Sequence, residues 1–215
     1  MRGLRACAEG VYADGMRAVV MRASSLVVDT VPDPTPGPGE VLVRTLACGI
    51  CGSDLHALRH GAEVVAATRD MGVRNVMDLG RDVVMGHEFA AEVVDYGPSA
   101  VRTLAPGTPV CSVPLVIRPG GLETIGFSND LPGGYGELMV LARDLLLPIP
   151  NGLEPALAAL TEPMAVAVHA VGLAALTPHD VPLVIGCGPV GLAVIFLTFR
   201  HVIDISIQIK CFPFV

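Results

Sequence analysis

Short runs of alternating apolar and polar residues occupy most of the first 150 positions and predict β-strands. Residues 17–31 alternate loosely and predict a pair of strands, which the Pro- and Gly-rich turn 32–39 follows. Further short strands are predicted at 40–47, 83–85, 90–94, 110–113 and 137–141. The 24 glycines and 18 prolines supply turns between strands, so the pattern favours a small barrel or sandwich.

The pattern changes near residue 150. Two Ala-rich stretches, 154–160 and 163–176, carry apolar residues at helical spacing and predict helices. A short apolar strand at 182–185 then runs directly into a glycine-rich turn. A β domain that gives way to a strand–turn–helix unit indicates a mixed α/β protein of two domains, with a boundary at about residue 150.

We therefore assign residues 16–150 to a first domain and 151–215 to a second. Residues 1–15 precede the first predicted strand and are interpreted as a disordered extension or a start-site artefact. From about residue 196 the composition changes, because Ala and Gly disappear and Ile recurs at every second position over 203–209. We interpret this aberrant tail as a departure from the parent sequence that leaves the second domain truncated.

Composition and charge exclude several classes of function. Hydrophobic residues make up 52% and charged residues 16% of the chain, which excludes an intrinsically disordered protein. The net charge of −7 offers no attraction to nucleic acid or to an anionic membrane surface. The N-terminus lacks the apolar stretch of a signal peptide, so we expect a cytoplasmic location, where the six cysteines are thiols or metal ligands.

One apolar run, residues 181–199, contains no charged residue and approaches the length of a membrane-spanning helix. A membrane-anchored binding module is therefore one hypothesis. Two prolines and three glycines fall in the first two-thirds of the run, and a spanning helix does not accommodate such a cluster. We predict that this run does not enter a membrane.

The motif Cys51-Gly-Ser-Asp-Leu-His56 follows a predicted strand, and we place it in a loop. Cys51 offers a thiolate, which is a good zinc ligand. Ser53 and His56 offer a hydroxyl and an imidazole three residues apart, which suits a proton relay from a buried site to water.

Two further segments supply metal-ligand types. His87 and Glu88 follow Gly86, and Glu162 stands at a predicted helix start. Each has an ordinary structural explanation, since a buried His is often structural and a Glu at a helix start complements the helix dipole. Taken with Cys51, they supply the three protein ligands that a catalytic zinc requires.

Gly186, Gly188 and Gly191 match the GxGxxG pattern of dinucleotide-binding turns. They follow a predicted strand and open an apolar helix, which is the context that the pattern requires. Locally, a turn that merely packs a helix against a strand explains the same three glycines, so both readings stay open.

Together these motifs resemble zinc-containing medium-chain alcohol dehydrogenases over roughly residues 16–194. The resemblance rests on four segments in the family's order: Cys51-Gly-Ser-Asp-Leu-His56, Gly86-His87-Glu88, Gly133-Gly-Tyr-Gly-Glu137 and Gly186-Cys-Gly-Pro-Val-Gly191. The Glu162-Pro163 pair is most similar to the polyol and threonine dehydrogenase branch. The resemblance implies a GroES-like β-barrel catalytic domain followed by the start of a Rossmann-type nucleotide-binding domain.

The resemblance also implies a set of metal ligands. Cys51 and His87 would bind one catalytic zinc ion, and either Glu88 or Glu162 would add the carboxylate. The family's structural zinc is held by four closely spaced cysteines, whereas Cys111 stands alone in the corresponding region. We therefore expect a single zinc ion in each chain.

Catalytic roles follow from the same resemblance. Ser53 would contact the substrate oxygen and pass its proton towards His56. Asp54 would orient His87. The implied reaction is zinc-dependent oxidation of a primary or secondary alcohol, or of a polyol, with NAD or NADP. The partner is a small-molecule alcohol, and full-length relatives would be homo-oligomers.

Two departures from the family leave alternatives open. The stretch between His56 and His87 is longer than in the family and looks helical over 60–70, so it forms either a wall of the substrate pocket or a surface elaboration. The truncation makes an inactive zinc-binding fragment the alternative to an active dehydrogenase.

Overall fold

The computed structural model describes residues 15–72 and 75–199, together with the backbone of residues 206–208. The chain divides into two compact units, the first ending at Ala159 and the second starting at Leu160. The predicted extension 1–15 lies outside the described residues except for Gly15. Most of the tail predicted from about residue 196 also lies outside them.

The first unit is built mainly from short strands. They are β1 (Met16–Arg22), β2 (Ser25–Val31), β3 (Glu40–Cys48), β4 (Val83–Val84), β5 (Phe89–Tyr96), β6 (Pro109–Ser112), β7 (Leu115–Arg118), β8 (Gly121–Thr124), β9 (Leu138–Ala142) and β10 (Leu146–Pro148). Its helices are α1 (Gly52–Asp70) and the short α2 (Pro155–Ala158), and Arg143–Leu145 form a 3-10 turn.

An antiparallel five-stranded sheet forms the centre of this unit, with the strand order β10-β6-β5-β3-β9. A second sheet has the order β2-β1-β4, and β7 and β8 form a separate hairpin. A bridge between Ala18 and Gly136 and a hydrogen bond from the Val19 N–H to the Tyr135 carbonyl (3.0 Å) connect β1 to the segment before β9.

The hydrophobic core follows the two-residue period of the central strands. Val41 and Val43 on β3 and Val93 on β5 are at most 1% exposed, and Val43 pairs with Val93 across the sheet. Since alternate side chains of a strand point to the same face, these valines form one buried layer. A larger cluster surrounds them: Phe89, Ala91, Tyr96, Val110, Val116, Ile125, Leu131, Met139, Val140 and Leu141.

Helix α1 begins earlier than the sequence suggested. The loop prediction for residues 51–56 is wrong, because the helix starts at Gly52 directly after Cys51. Asp54, in the first turn, accepts a hydrogen bond from the Cys51 N–H (3.0 Å), which satisfies one donor that a helix start leaves unpaired. The helix is kinked at His60 and buries Ala57 and Val65 against a second apolar cluster.

The second unit contains α3 (Thr161–Ala174), β11 (Leu183–Ile185), α4 (Pro189–Thr198) and β12 (Ser206–Gln208). β11 and β12 are parallel, with Leu183 opposite Ser206, so the segment is a β-α-β unit. Helix α4 continues past residue 196 to Thr198. The apolar run 181–199 is thus divided between a strand, a glycine turn and a helix of ten residues.

Within the described residues, the helical stretch Pro155–Ala174 has the length and the apolar composition of a segment that could cross a membrane. A single stretch of this kind is weak evidence of a membrane span, since core helices of soluble proteins have the same length and apolar composition.

The close packing of Gly97 against the Pro-rich turn 32–39 of the first unit can be tested by substitution. A Cβ at this position would lie 1.9 Å from the carbonyl oxygen of Gly37 in the Pro-rich turn, and backbone cannot give way as a side chain does. We expect Gly97→Ala to destabilise the first unit by about 1–3 kcal/mol. Chemical denaturation followed by circular dichroism measures the loss. Gly120→Ala is the control, because its Cβ would meet only ordinary contacts at 3.6 Å or more, and equal losses in both variants would contradict the packing described.

Candidate functional site

Three potential metal ligands lie side by side in the first unit. One donor atom from each of Cys51, His87 and Glu88 lies within 4.8 Å of the others. His87 and Glu88 are 7% and 8% exposed, and Cys51 is half-buried. In the part of the chain that the structure describes, this is the one group of three or more Cys, His, Asp or Glu side chains with such spacing.

The central sheet brings these residues together. Cys51 lies between the end of β3 and the start of α1, whereas His87 and Glu88 lie between β4 and β5. Because β3 pairs with β5, Cys48 stands opposite Phe89, and the Gly49 N–H donates a hydrogen bond to the Glu88 carbonyl (2.7 Å). The two ligand-bearing segments are therefore joined through their backbones.

Two glycines, Gly49 and Gly86, leave room for the side chains of Glu88 and Tyr135 to lie close to the backbone. A Cβ at Gly49 would lie 2.4 Å from Oε2 of Glu88, so only glycine permits the carboxylate to lie there. Gly86 has φ +96°, and a Cβ would lie 2.7 Å from Cδ1 of Tyr135. A side chain at either position would displace one of the groups that form the site.

The buried carboxylate of Asp54 contacts both Cys51 and His87. Its Oδ1 lies 3.2 Å from Nδ1 of His87, and the side chain is 3% exposed. Its Oδ2 accepts hydrogen bonds from the Cys51 N–H (3.0 Å) and from the Tyr135 hydroxyl (2.8 Å). One buried carboxylate thus positions both a thiol-bearing residue and an imidazole, as the outer partners of metal ligands do.

The electrostatics of the cluster favour a positive charge. Burial lowers the pKa of His87, but the adjacent carboxylate of Asp54, together with Cys51, outweighs it and raises the pKa to about 9. Burial, followed by the charges of Asp54 and Glu88, raises the pKa of the neighbouring Cys48 to about 12. Burial and the hydrogen bond to Asp54 also raise the pKa of Tyr135.

This donor set fits a zinc ion. Thiolate, imidazole and carboxylate are all zinc ligands, and three protein ligands typify catalytic sites, where a fourth position stays open. The negative charges that raise the pKa of His87 would also attract a divalent cation, which would bind once the imidazole has given up its proton. Cys48 has its thiol held protonated by the same surroundings, and it is not part of the three-residue group.

Ser53 and His56 lie on the first turns of α1. The Ser53 Oγ is 3.4 Å from Nε2 of His87, which places the hydroxyl next to the ligand cluster. His56 is exposed one turn further along, where its ring lies 4.9 Å from that of His60. Both side chains line the same cavity.

The three glycines of the second unit form the turn between β11 and α4. Gly186 has φ +108°, and Gly188 caps the helix, with nothing within 4 Å of a Cβ built at either. A Cβ at Gly191 would lie 2.3 Å from the Gly186 carbonyl, so this glycine allows the helix to approach the turn. The structure thus shows a compact turn with open space at a helix N-terminus, where anions bind.

Glu162 lies in the first turn of α3, also in the second unit. A carboxylate at that place complements the dipole of the helix. Its assignment as a metal ligand remains a prediction.

Comparison with known proteins identifies the family. The sequence model of one protein family, the alcohol dehydrogenase GroES-like domain, matches residues 37–151, which is more than half of the chain. The chain belongs to this family.

Two curated relatives of the family are dehydrogenases. The chain is 35% identical to (R,R)-butanediol dehydrogenase of Bacillus subtilis (strain 168), over 78% of this chain and 50% of that protein. It is 32% identical to L-galactonate-5-dehydrogenase of Escherichia coli (strain K12), over 74% of this chain and 45% of that protein. The chain therefore spans about half the length of the curated relatives it matches.

Solved structures of the family resemble the fold. The crystal structure of 2R,3R-butanediol dehydrogenase from Bacillus subtilis has a TM-score of 0.72 at 29% identity, covering 90% of this chain and 57% of that one. A proposed zinc-binding dehydrogenase from Sinorhizobium meliloti 1021, bound to NADP, has a TM-score of 0.73 at 30% identity, covering 89% and 55%.

Tyr135 was missed as a member of the site. The sequence marks it only as part of a glycine-rich segment, whereas the structure shows its hydroxyl on Asp54. Phe127 was missed as well, although its ring lies 5.3 Å from that of His87. No local pattern signals either contact, because each depends on a distant segment folding back onto the site.

Tyr135 offers a test of the network behind the ligands. We expect Tyr135→Phe to weaken zinc binding by about tenfold, because Asp54 then holds Cys51 and His87 less rigidly. Competition with a chelating dye measures the affinity. Tyr96→Phe is the matched control, since the Tyr96 hydroxyl bonds the Leu104 backbone instead. Equal zinc affinity of Tyr135→Phe and the unaltered chain would remove Tyr135 from the site.

Proposed function

We propose that the chain carries the catalytic site of a zinc-dependent oxidoreductase that oxidises a primary or secondary alcohol, or a polyol, with NAD or NADP. The observation that supports this most is the convergence of Cys51, His87 and Glu88, with the Ser53 hydroxyl next to them. The dehydrogenase activity named for two relatives supports the same reaction class.

The metal ligands in this proposal are Cys51, His87 and Glu88, which belong to one unit and one cluster. Glu162 is the alternative carboxylate, on the second unit. When bound, zinc acts as a Lewis acid that polarises an alcohol oxygen and favours loss of its proton. Asp54 would hold the imidazole of His87 in the orientation that directs Nε2 to the metal.

In the proposed reaction, the substrate carbon gives a hydride to the oxidised nicotinamide and its hydroxyl loses a proton, so that a carbonyl remains. Ser53 would accept the proton of the substrate hydroxyl while passing its own hydroxyl proton on to His56, because its Oγ lies beside the cluster, 3.4 Å from Nε2 of His87. His56, exposed on the next turn of α1, would deliver that proton to water.

The second unit would bind the cofactor. The open space at Gly186 and Gly188 would admit the pyrophosphate, and the start of α4 would offer backbone N–H donors. We propose that residues 16–150 form the catalytic domain and 151–215 the start of a nucleotide-binding domain.

Two substitutions separate metal binding from proton transfer. Cys51→Ser should abolish both zinc binding and alcohol-dependent reduction of NAD or NADP, because the thiolate is lost. Ser53→Ala should retain one zinc per chain and lower turnover by about 10²–10⁴-fold, the contribution typical of a positioned acid–base group. Elemental analysis and cofactor absorbance measure the two quantities, and Cys111→Ser, at a buried thiol on β6, is the control.

The outcomes divide the hypotheses. Zinc that survives Cys51→Ser with unchanged affinity would contradict the ligand assignment. One zinc per chain without any turnover would identify the alternative, a zinc-binding fragment. In the same assay, Glu88→Gln should lower zinc affinity more than Glu162→Gln, and the reverse order would assign the third ligand to Glu162.

A further inference from the structure

Two histidine rings contact each other on helix α1, outside the group of Cys51, His87 and Glu88. His56 and His60 are four residues apart, and their ring centroids lie 4.9 Å apart with the planes tilted by 31°. Side chains at this spacing share one face of a helix. The helix is kinked at His60, where φ is −126° and ψ is 36°, and the rings stay in contact across the kink. The pair is therefore a local cluster of two potential metal ligands.

The separation of the two rings suits a shared metal ion. Imidazoles that bind one ion in neighbouring positions, through nitrogens at about 2.0–2.1 Å, have ring centroids roughly 4.5–5.3 Å apart. The 4.9 Å between His56 and His60 lies within that range. The spacing of the rings therefore needs no change for both imidazoles to bind the same ion.

A carboxylate stands beside one of the two rings. Oε1 of Glu63 lies 3.5 Å from Nδ1 of His60. A metal-binding histidine commonly directs its other ring N–H at a carboxylate, which fixes the tautomer and leaves the second nitrogen for the ion. Glu63 thus favours the form of His60 that presents Nε2 to a metal.

The pair is open to water. The side chains of His60 and Glu63 are 49% and 74% exposed, and His56 is exposed as well. Water would fill the remaining coordination positions of an ion held by two imidazoles. Such an ion would exchange with solvent more readily than one held at His87 and Glu88, which are buried.

We propose that His56 and His60 form a second, exchangeable metal site for a divalent ion of the class that imidazole prefers, namely nickel, copper or zinc. Glu63 is a positioning residue that acts through His60. The effect of the ion on turnover rests on the proposed function. If His56 delivers the substrate proton to water, an ion at the pair occupies the lone pair that would accept this proton, and turnover falls.

Nickel titration of the zinc-loaded chain tests the site without requiring turnover. Isothermal titration calorimetry should show Ni²⁺ binding that His60→Ala weakens at least tenfold. Glu63→Ala should weaken it by about tenfold, the loss typical when a ligand loses its outer partner. His169→Ala is the matched control, because His169 is an exposed histidine on another helix, α3, and its loss should leave the nickel affinity unchanged.

NMR of the histidine rings gives a second measurement that does not depend on a variant. Paramagnetic Ni²⁺ should broaden the ring signals of His56 and His60 first and leave those of His169 sharp. Nickel affinity that is unchanged in His60→Ala, or broadening that spares the pair, would overturn the inference.

Cys51→Ser separates this inference from the proposed function. The substitution removes a ligand of the candidate zinc centre and leaves both imidazoles of the pair, so nickel should bind with unchanged affinity. Loss of nickel binding in this variant would overturn the inference, because the ion would then be bound at the other cluster. Nickel that binds at the pair without lowering alcohol oxidation would support the site and contradict the role proposed for His56.

Discussion

The buried carboxylate of Asp54 is the contact on which the geometry of the site depends. It accepts hydrogen bonds from the Cys51 N–H and the Tyr135 hydroxyl and lies 3.2 Å from Nδ1 of His87. Hydrogen bonds to a charged group contribute about 1.5–3 kcal/mol each, and a buried carboxylate without partners is strongly unfavourable. The start of α1, the His87 ring and the glycine-rich segment before β9 are therefore held together by one charge.

Close backbone packing makes this arrangement possible. Gly49 and Gly86 stand where a Cβ would meet Glu88 or Tyr135, and the pairing of β3 with β5 joins the two ligand-bearing segments. Three ligands from loops at a strongly paired sheet can be held in a fixed geometry that none of the loops would keep alone.

The sequence predicted most of the strands because their signals are local, and it named Cys51, His87 and Glu88 as candidate ligands, whose donor atoms the structure brings within 4.8 Å of one another. Alternating residues marked β3 and β5, and the residue types of Cys51, His87 and Glu88 are those that zinc prefers. The start of α1 was placed wrongly because Cys51 and Asp54 cap the helix through a side-chain contact that periodicity does not reveal. The roles of Tyr135 and Phe127 could not be predicted from the sequence, because their contacts with Asp54 and His87 join positions far apart in the chain.

We propose that one thiolate, one imidazole and one carboxylate from the cluster hold a single zinc ion. X-ray absorption at the zinc edge of the zinc-loaded chain tests it most directly, because sulfur at about 2.3 Å is distinguished from nitrogen and oxygen at about 2.0–2.2 Å. We expect one sulfur ligand, from Cys51, with the remaining ligands nitrogen or oxygen. Two sulfur ligands, which would bring Cys48 to the metal, or none at all would contradict it.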